Sequence, residues 1–517
     1  MSQYVMEGLY AYFMYNHAQH VTYLSARFHG YKYIAQMNRT ITERLIWAGV
    51  VVASLCCSLI FMQIAWEYNS SHSTLTVIES THHGIWNFPF PAITICNNNQ
   101  VSLRKTRQFV DNLTTFGGLT RDYILEEMRL LIEILDPGAY NYNVDWNLTI
   151  LQDVFDANNY TISDVMKLVN QDCTSLLRNC KWKGNSTPCH ELFEQTYARD
   201  GICCSFNYFN SENRSRRNIE PKKLTACGYQ TGLSFLADPE PNDYHSSLYG
   251  FYGIKVMLHY PYSYPDRSTE FQLVSLGVQN FLGISPEETY STRGVLELQV
   301  RDRDCIFSEK ELSKELKLLK KNYTWIKYTY TNCLNECRAN TTITECGCVP
   351  YYIPQNGNRV CNLRDVQCLK RIRVFYDTPW PGLKMNSSNF TDFEIDISNR
   401  PCACLPDCRL YRYPVDSTQG ILRKSILENH KTFSDMDVSK NTSLVNIFFT
   451  DLVSIQYRRD IYYNWRNLCA SFGGLLGLFV GFSLMTGIEL VYFFVVRVIA
   501  DKCKNGRKIE TDSDNYP

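Results

Sequence analysis

Neither sign of charge is in excess in this chain of 517 residues, where 52 Lys and Arg balance 52 Asp and Glu. A binder of nucleic acid would show a basic surplus, so nothing in the balance points to one. No nucleophile motif, phosphate-cradling loop or metal-ligand helix is present, which leaves no enzyme, no catalytic residue, no metal and no cofactor to expect. Internal repeats and low-complexity tracts are missing too. Residues 1–44 lack a charged leader followed by an apolar core and a small-residue cleavage site, so no removable signal peptide is expected.

Cysteine and apolar runs are abundant instead. The count of 21 cysteines is high for a cytosolic enzyme that holds no metal. Leu45 to Ile64 is a largely apolar run without a charged residue. At about 1.5 Å per residue it is long enough to cross a hydrocarbon core of roughly 30 Å. Cys56 and Cys57 lie inside that run and read as lipid-facing or packed thiols. A second run, Leu468 to Ala500, is built differently, with Gly473, Gly477 and Gly481 at every fourth position and then Ser483, Thr486 and Glu489. In a continuous helix the three glycines share one face, where neighbouring helices can approach closely. A carboxylate at that depth costs roughly 2.5–3.5 kcal/mol on insertion scales, so Glu489 is expected to face a bundle interior or a watery path. Spacing alone leaves two readings open, a pore-lining helix and a helix that dimerises through glycine.

Arg27, Lys32, Arg39 and Arg44 precede the first run, and Arg497, Lys502, Lys504, Arg507 and Lys508 end or follow the second. The positive-inside rule then places both termini in the cytoplasm. The expected organisation is a cytoplasmic segment 1–44, a first span 45–66, an extracellular domain 67–467, a second span 468–500 and a cytoplasmic tail 501–517. The extracellular part holds 17 of the cysteines. It also holds N-x-S/T glycosylation acceptors at Asn69, Asn112, Asn147, Asn159, Asn185, Asn213, Asn322, Asn340, Asn386, Asn389 and Asn441. Periodicity predicts helices over Thr120–Leu135, Ile162–Val169 and Ser308–Lys321, strands over Gly253–His259 and Gly294–Val300, and exposed loops over Asn141–Asn159 and Asn210–Lys223. The fold class is therefore membrane α+β.

Cys305 is followed by a block, Cys333, Cys337, Cys346, Cys348, Cys361, Cys368, Cys402, Cys404 and Cys408, whose end mirrors its beginning: C-x3-C and C-x-C, then C-x-C-x3-C. A mirrored pattern suits nested bridges that staple an outgoing segment to a returning one. Zinc is the competing reading, and the missing C-x2-C pairs and the oxidising compartment argue against it. Spacing alone does not fix the connectivity.

These motifs, with His29-Gly30 before the first span, Phe90-Pro91-Ala92-Ile93-Thr94-Ile95-Cys96-Asn97 after it, and Phe472-Gly473-Gly474 leading to Gly481-Phe482-Ser483, carry a resemblance. The chain resembles the degenerin/epithelial sodium channel family, most of all its insect pickpocket branch, and is similar to the acid-sensing ion channels. The resemblance runs from His29 to about Val496. It implies a trimer, homomeric or heteromeric, of subunits with a hand-like ectodomain around a cation pore. Gly481, Phe482 and Ser483 match the family's selectivity filter, with Phe482 in place of the usual small middle residue. Glu489 matches its acidic pore position; Tyr492 and Ser471 stand where acid-sensing members have carboxylates. His29, Gly30 and Ala470 match its gating positions. The family's bridges map as Cys96–Cys203, Cys180–Cys189, Cys305–Cys408, Cys333–Cys404, Cys337–Cys402, Cys346–Cys368 and Cys348–Cys361. For an eighth bridge the expectation is Cys204–Cys227, with Cys173 free or paired to another subunit.

Arg214, Arg216 and Arg217 form a basic loop that reads either as a furin-type cleavage site or as an uncut basic loop, and glycosylation at Asn213 would hinder a protease there. The expected function is an amiloride-sensitive, sodium-preferring cation channel subunit of the plasma membrane, in sensory cells, with sodium as permeant ion and gated by an extracellular ligand or stimulus that the sequence does not name. Two other classes stand beside it: a two-span glycosylated receptor or scavenger without a pore, and an ATP-gated two-span channel.

Overall fold

The structure, a computed structural model, describes residues 33–34, 39–209, 220–307, 327–355, 357–377, 402, 404–423, 439, 441–462 and 465–496. The chain divides into two compact units, Met1–Leu75 with Asp460–Pro517, and Thr76–Arg459.

The first unit is mainly helical in its described residues. Helix α1, Ile41–Ser71, starts at Thr40, whose hydroxyl accepts the Glu43 N–H and satisfies one of the donors that a helix start leaves open. Among the described residues it is the one helix long and apolar enough to cross a membrane. It continues five residues past the expected end of the span, with Ser70 and Ser71 hydroxyls donating to the carbonyls of Glu67 and Tyr68. Two shorter helices follow at the other end of the chain, α2 over Trp465–Val480 and α3 over Leu484–Val491. Phe61 of α1 stacks on Phe479 of α2 with ring centroids 5.5 Å apart.

The second unit is a mixed helix and sheet domain. Its five-stranded sheet places Ala92–Asn97 at the centre, antiparallel to Gly253–His259 on one side and to Gly201–Phe206 on the other. All three strands are buried along their whole length. Such strands read as apolar or β-branched runs without alternation. A six-stranded sheet pairs Val278–Ile284 with Ser443–Phe449 in parallel, and a four-stranded sheet joins Thr74–Gly84, Val453–Ile461, Glu287–Ser291 and Leu410–Arg412. Phe90 ties the two larger sheets together, packing edge-on against Trp182, Phe206 and Phe449 at 5.1–6.2 Å. A second core lies among the helices, where Leu131, Phe155, Met166, Tyr351 and Leu363 are all buried.

Gly253–His259 and Ile162–Val169 fold as their patterns predict. Thr120–Leu135 is helical throughout, but the α-helix Arg121–Glu127 tightens into a 3-10 helix over Met128–Ile134. Two segments differ from expectation. Asn141–Asn159 is no loop: Asp145–Ala157 is a helix that buries Leu148, Leu151, Val154 and Phe155, an apolar stripe diluted by Asn, Asp and Thr on the wet face. Gly294–Val300 is no strand but a short helix, Arg293–Glu297, followed by a turn. Here the carbonyls of Leu296, Leu298 and Cys305 are taken by the buried Arg303 guanidinium at 3.0–3.3 Å. Ser308–Lys321 lies outside the described residues.

Candidate functional site

The apolar pattern over Leu468–Ala500 predicts one continuous helix, and the structure breaks it at Gly481-Phe482-Ser483. Gly481 takes φ +70°, a left-handed conformation that costs other residues roughly 1–2 kcal/mol. Its N–H donates to the Gly477 carbonyl at 3.1 Å, which is how a helix closes on a left-handed glycine. The Phe482 N–H reaches back to the Leu476 carbonyl at 3.2 Å. Ser483 then opens α3: its hydroxyl accepts the Thr486 N–H at 3.3 Å and its carbonyl accepts the Gly487 N–H at 3.0 Å. Gly481 therefore does not continue the face of Gly473 and Gly477; it ends the helix that carries them. The step puts the carbonyl end of one helix beside the capped start of the next, inside an apolar segment.

Around Gly473 and Gly474 no atom lies within 4 Å of where a side chain would begin, and Ala470, three and four positions earlier, is exposed. This face of α2 is thus open in the single chain. Glu489 falls in α3, six residues past Ser483. His29 and Gly30 lie outside the described residues, as do Arg214, Arg216 and Arg217.

In the second unit the seven pairs Cys96–Cys203, Cys180–Cys189, Cys305–Cys408, Cys333–Cys404, Cys337–Cys402, Cys346–Cys368 and Cys348–Cys361 are bonded. Cys333 and Cys337 sit one turn apart on the helix Tyr330–Cys346 and meet Cys404 and Cys402 of the returning segment in mirrored order. The eighth bridge corrects the expectation. Cys204 bonds Cys173, with Cα atoms 5.7 Å apart, and Cys227 keeps a free thiol. Neighbouring residues of a strand point to opposite faces, so Cys203 turns to Cys96 while Cys204 turns to the other side, where Cys173 begins a one-turn helix. Sulfurs of Cys348 and Cys361 lie close to an Asp365 oxygen, but the two sulfurs are bonded to each other and offer no thiolate to a metal.

Two polar centres that sequence reasoning missed lie in the same unit. Asp200, buried, bonds Lys255 Nζ at 2.6 Å and Arg267 Nε at 2.9 Å. Burial alone would raise its carboxyl, but these two cations outweigh that and hold it below the usual range. Asp407 stands in the opposite condition. It lines a cleft of about 380 Å³ with Lys327, Tyr260 and Tyr411, the two tyrosine rings stacked 5.2 Å apart. Burial pushes its carboxyl up to about 7, against the pull of the Tyr330 N–H at 3.0 Å and of Lys327. No spacing signal marks it, since it occupies a place inside the C-x3-C end of the cysteine block.

Of the glycosylation acceptors, Asn112, Asn159, Asn185 and Asn340 are exposed and Asn69, Asn147 and Asn441 are half-buried. Asn213, Asn322, Asn386 and Asn389 lie outside the described residues. Asn147 Nδ2, the atom a glycan would take, donates to Glu127 at 2.9 Å.

A family model described as "Amiloride-sensitive sodium channel" matches residues 24–493. Sodium channel protein Nach of Drosophila melanogaster is 23% identical over 486 residues, covering 90% of this chain and 85% of that protein. Pickpocket protein 28 of the same organism is 25% identical over 519 residues, covering 91% and 77%. Bile acid-sensitive ion channel of Mus musculus is 24% identical over 482 residues, covering 91% and 86%.

Proposed function

The chain belongs to the amiloride-sensitive sodium channel family, and from that premise we propose that it is an amiloride-blocked, sodium-preferring channel subunit whose filter is the helix break Gly481-Phe482-Ser483. Members of the family are ion channels of the plasma membrane, assembled as oligomers, and not enzymes. The observation that carries the reading is the interruption itself. Irregular backbone at membrane depth is tolerated only where it is buried in protein or lines water, and the freed carbonyls of a broken helix are the usual ligands of a small cation there. A left-handed glycine lets backbones converge, and the hydroxyl of the exposed residue Ser483 adds an oxygen without fixing a charge that would trap the ion.

In this reading α1 is the first span, α2 with α3 is the second, and both termini are cytoplasmic. Three copies, of this chain or of this chain with relatives, bring the open Ala470, Gly473 and Gly474 face together around the pore. Glu489 lies on the cytoplasmic side of the filter, and the domain between the spans receives an extracellular stimulus in a sensory cell.

The test is expression of the full chain in oocytes, alone and with related subunits, with surface delivery measured and currents recorded under sodium replacement with and without amiloride. An amiloride-blocked sodium current is expected. Gly481→Val and Ser483→Leu should abolish or degrade it at wild-type surface density, and Glu489→Gln should alter conductance more mildly. Unchanged reversal potential and conductance in the first two variants would sink the filter assignment.

A further inference from the structure

We propose that Thr486 and Gly487, the two residues a turn beyond the break, position the filter: Thr486 fixes the Ser483 hydroxyl and Gly487 seats the Phe482 ring. This rests on the reading of residues 481–483 as the filter and adds what sets its specificity.

A serine oxygen can serve a cation only through a lone pair, so its proton must point elsewhere. Ser483 Oγ accepts the Thr486 N–H at 3.3 Å and lies 2.9 Å from Thr486 Oγ1. Thr486 thus offers the Ser483 proton an acceptor on its own helix, while Ser483 as a residue stays exposed. Thr486 itself is 6% exposed and, with Ser58, one of only two buried side chains among the described residues of its unit. In a unit whose described residues bury just one other side chain, this polar group is dry, and its hydrogen-bond partner is Ser483.

Phe482 poses the second question, because a benzyl group stands at the middle of a three-residue constriction. The ring folds onto Gly487. A Cβ placed at Gly487 would lie 3.3 Å from Phe482 Cζ, closer than carbon atoms comfortably pack, and 3.9 Å from Cε1, an ordinary contact. The missing side chain at 487 is therefore the seat of the large one at 482: a single Cβ there already presses on the ring tip, and a branched side chain such as valine would unseat it.

The experiment is a set of bi-ionic reversal potentials for sodium against potassium and lithium, on the full chain co-expressed with whatever subunits give current, at measured surface density. Thr486→Val is expected to change the sodium-to-potassium permeability ratio by about two- to tenfold, the range that one lost hydrogen bond allows. Thr486→Ser keeps the hydroxyl and is expected to keep the ratio. If Thr486→Val does not reach the surface, Thr486→Ala is read in the same way. Gly487→Val is expected to shift the ratio in wild type and to have no further effect once Phe482→Ala has removed the ring. A wild-type ratio in the Thr486 variants, equal shifts from Val and Ser, or a Gly487→Val effect that survives Phe482→Ala overturns the inference. Should Gly481→Val and Ser483→Leu leave permeation unchanged, the filter reading itself is what has failed.

Discussion

The two units of this chain solve the problem of apolar surface in opposite ways. Residues Thr76–Arg459 bury their own aromatic and aliphatic side chains, pair buried charges such as Asp200 with Lys255, and close eight disulfides. In the unit that carries α1, α2 and α3, the described residues bury only Ser58 and Thr486, and Leu45, Ile46, Leu59, Leu478 and Leu484 stand more than half exposed. A side chain of that kind in water would cost about 1.5–3 kcal/mol relative to burial. One unit is complete as a folded object; the other, in the proposed assembly, is completed by lipid and by other copies. Substitutions in the first unit should therefore act on folding, and substitutions in the second on transport.

The strongest test of that division is the staple. Replacing Cys333 and Cys404 together by Ser should cost about 2–5 kcal/mol and cut surface delivery, while channels that do arrive keep wild-type selectivity. Altered selectivity at normal delivery would reverse the assignment of the two units. Next in size is Ala470 on the open face of α2. Ala470→Val or Ala470→Phe should overpack the convergence of the helices, and a penalty of about 1.4 kcal/mol on the tighter closed state would shift the closed-to-open ratio about tenfold. Amiloride-blocked resting current should rise; equal resting current at matched surface density would show that this face meets no neighbour.

A smaller effect is expected at Asp407. The free chain ionises near the usual carboxylate value of about 3.9, whereas the folded group holds its proton up to about 7. Between those values the folded state binds more protons, so this group's contribution is full below about pH 4 and is lost as pH rises through about 7. Asp407→Asn should remove that fall from the thermal stability of the detergent-solubilised chain. Asp200, held low, contributes in the opposite sense and is lost only as pH drops below the usual carboxylate range. An unchanged pH profile in Asp407→Asn would mean the carboxyl is better solvated than its surroundings indicate. The smallest change is Gly49→Ala in α1. No atom lies within 4 Å of its absent side chain and its φ is not positive, so alanine should add at most about 0.5–1 kcal/mol and leave current untouched. Gly49 and Gly481 thus make a matched pair, one glycine idle and the other ending a helix.

That pair also shows what the sequence conceals. Gly253–His259 and Ile162–Val169 are legible because each has one unbroken period and a clear end. Asp145–Ala157 is hidden because its apolar stripe is thin, and the Gly294–Val300 alternation imitates a strand whose neighbour is an arginine side chain. Hydropathy sums side chains and has no knowledge of φ, so the residues of the break are visible as a motif while the break itself is not. The role of Thr486 needs the interruption first, since in an unbroken helix its hydroxyl would have no cap to share. The pairing of Cys173 is not legible: adjacent cysteines on a strand face opposite ways, which separates the partners of Cys203 and Cys204 but does not choose between Cys173 and Cys227.

The pairing of Cys173 with Cys204 also changes what a protease would leave behind. The eight bridges fall into two sets, one confined to residues 96–204 and the other to residues 305–408. No bridge crosses from one set to the other. A bond between Cys204 and Cys227 would have kept a chain nicked at Arg217 in one covalent piece; with Cys227 free, no disulfide among the described residues joins the two pieces, which are held by ion pairs such as Asp200–Lys255, by hydrogen bonds and by packed surface. The strand Ser443–Phe449 of the later piece lies antiparallel to Leu233–Ala237, and that strand in turn pairs with Leu177–Trp182 of the earlier one. Nicked protein would stay assembled under native conditions and separate into two fragments in a denaturing detergent without any reductant, so its cleavage state can be read directly from a non-reducing denaturing gel.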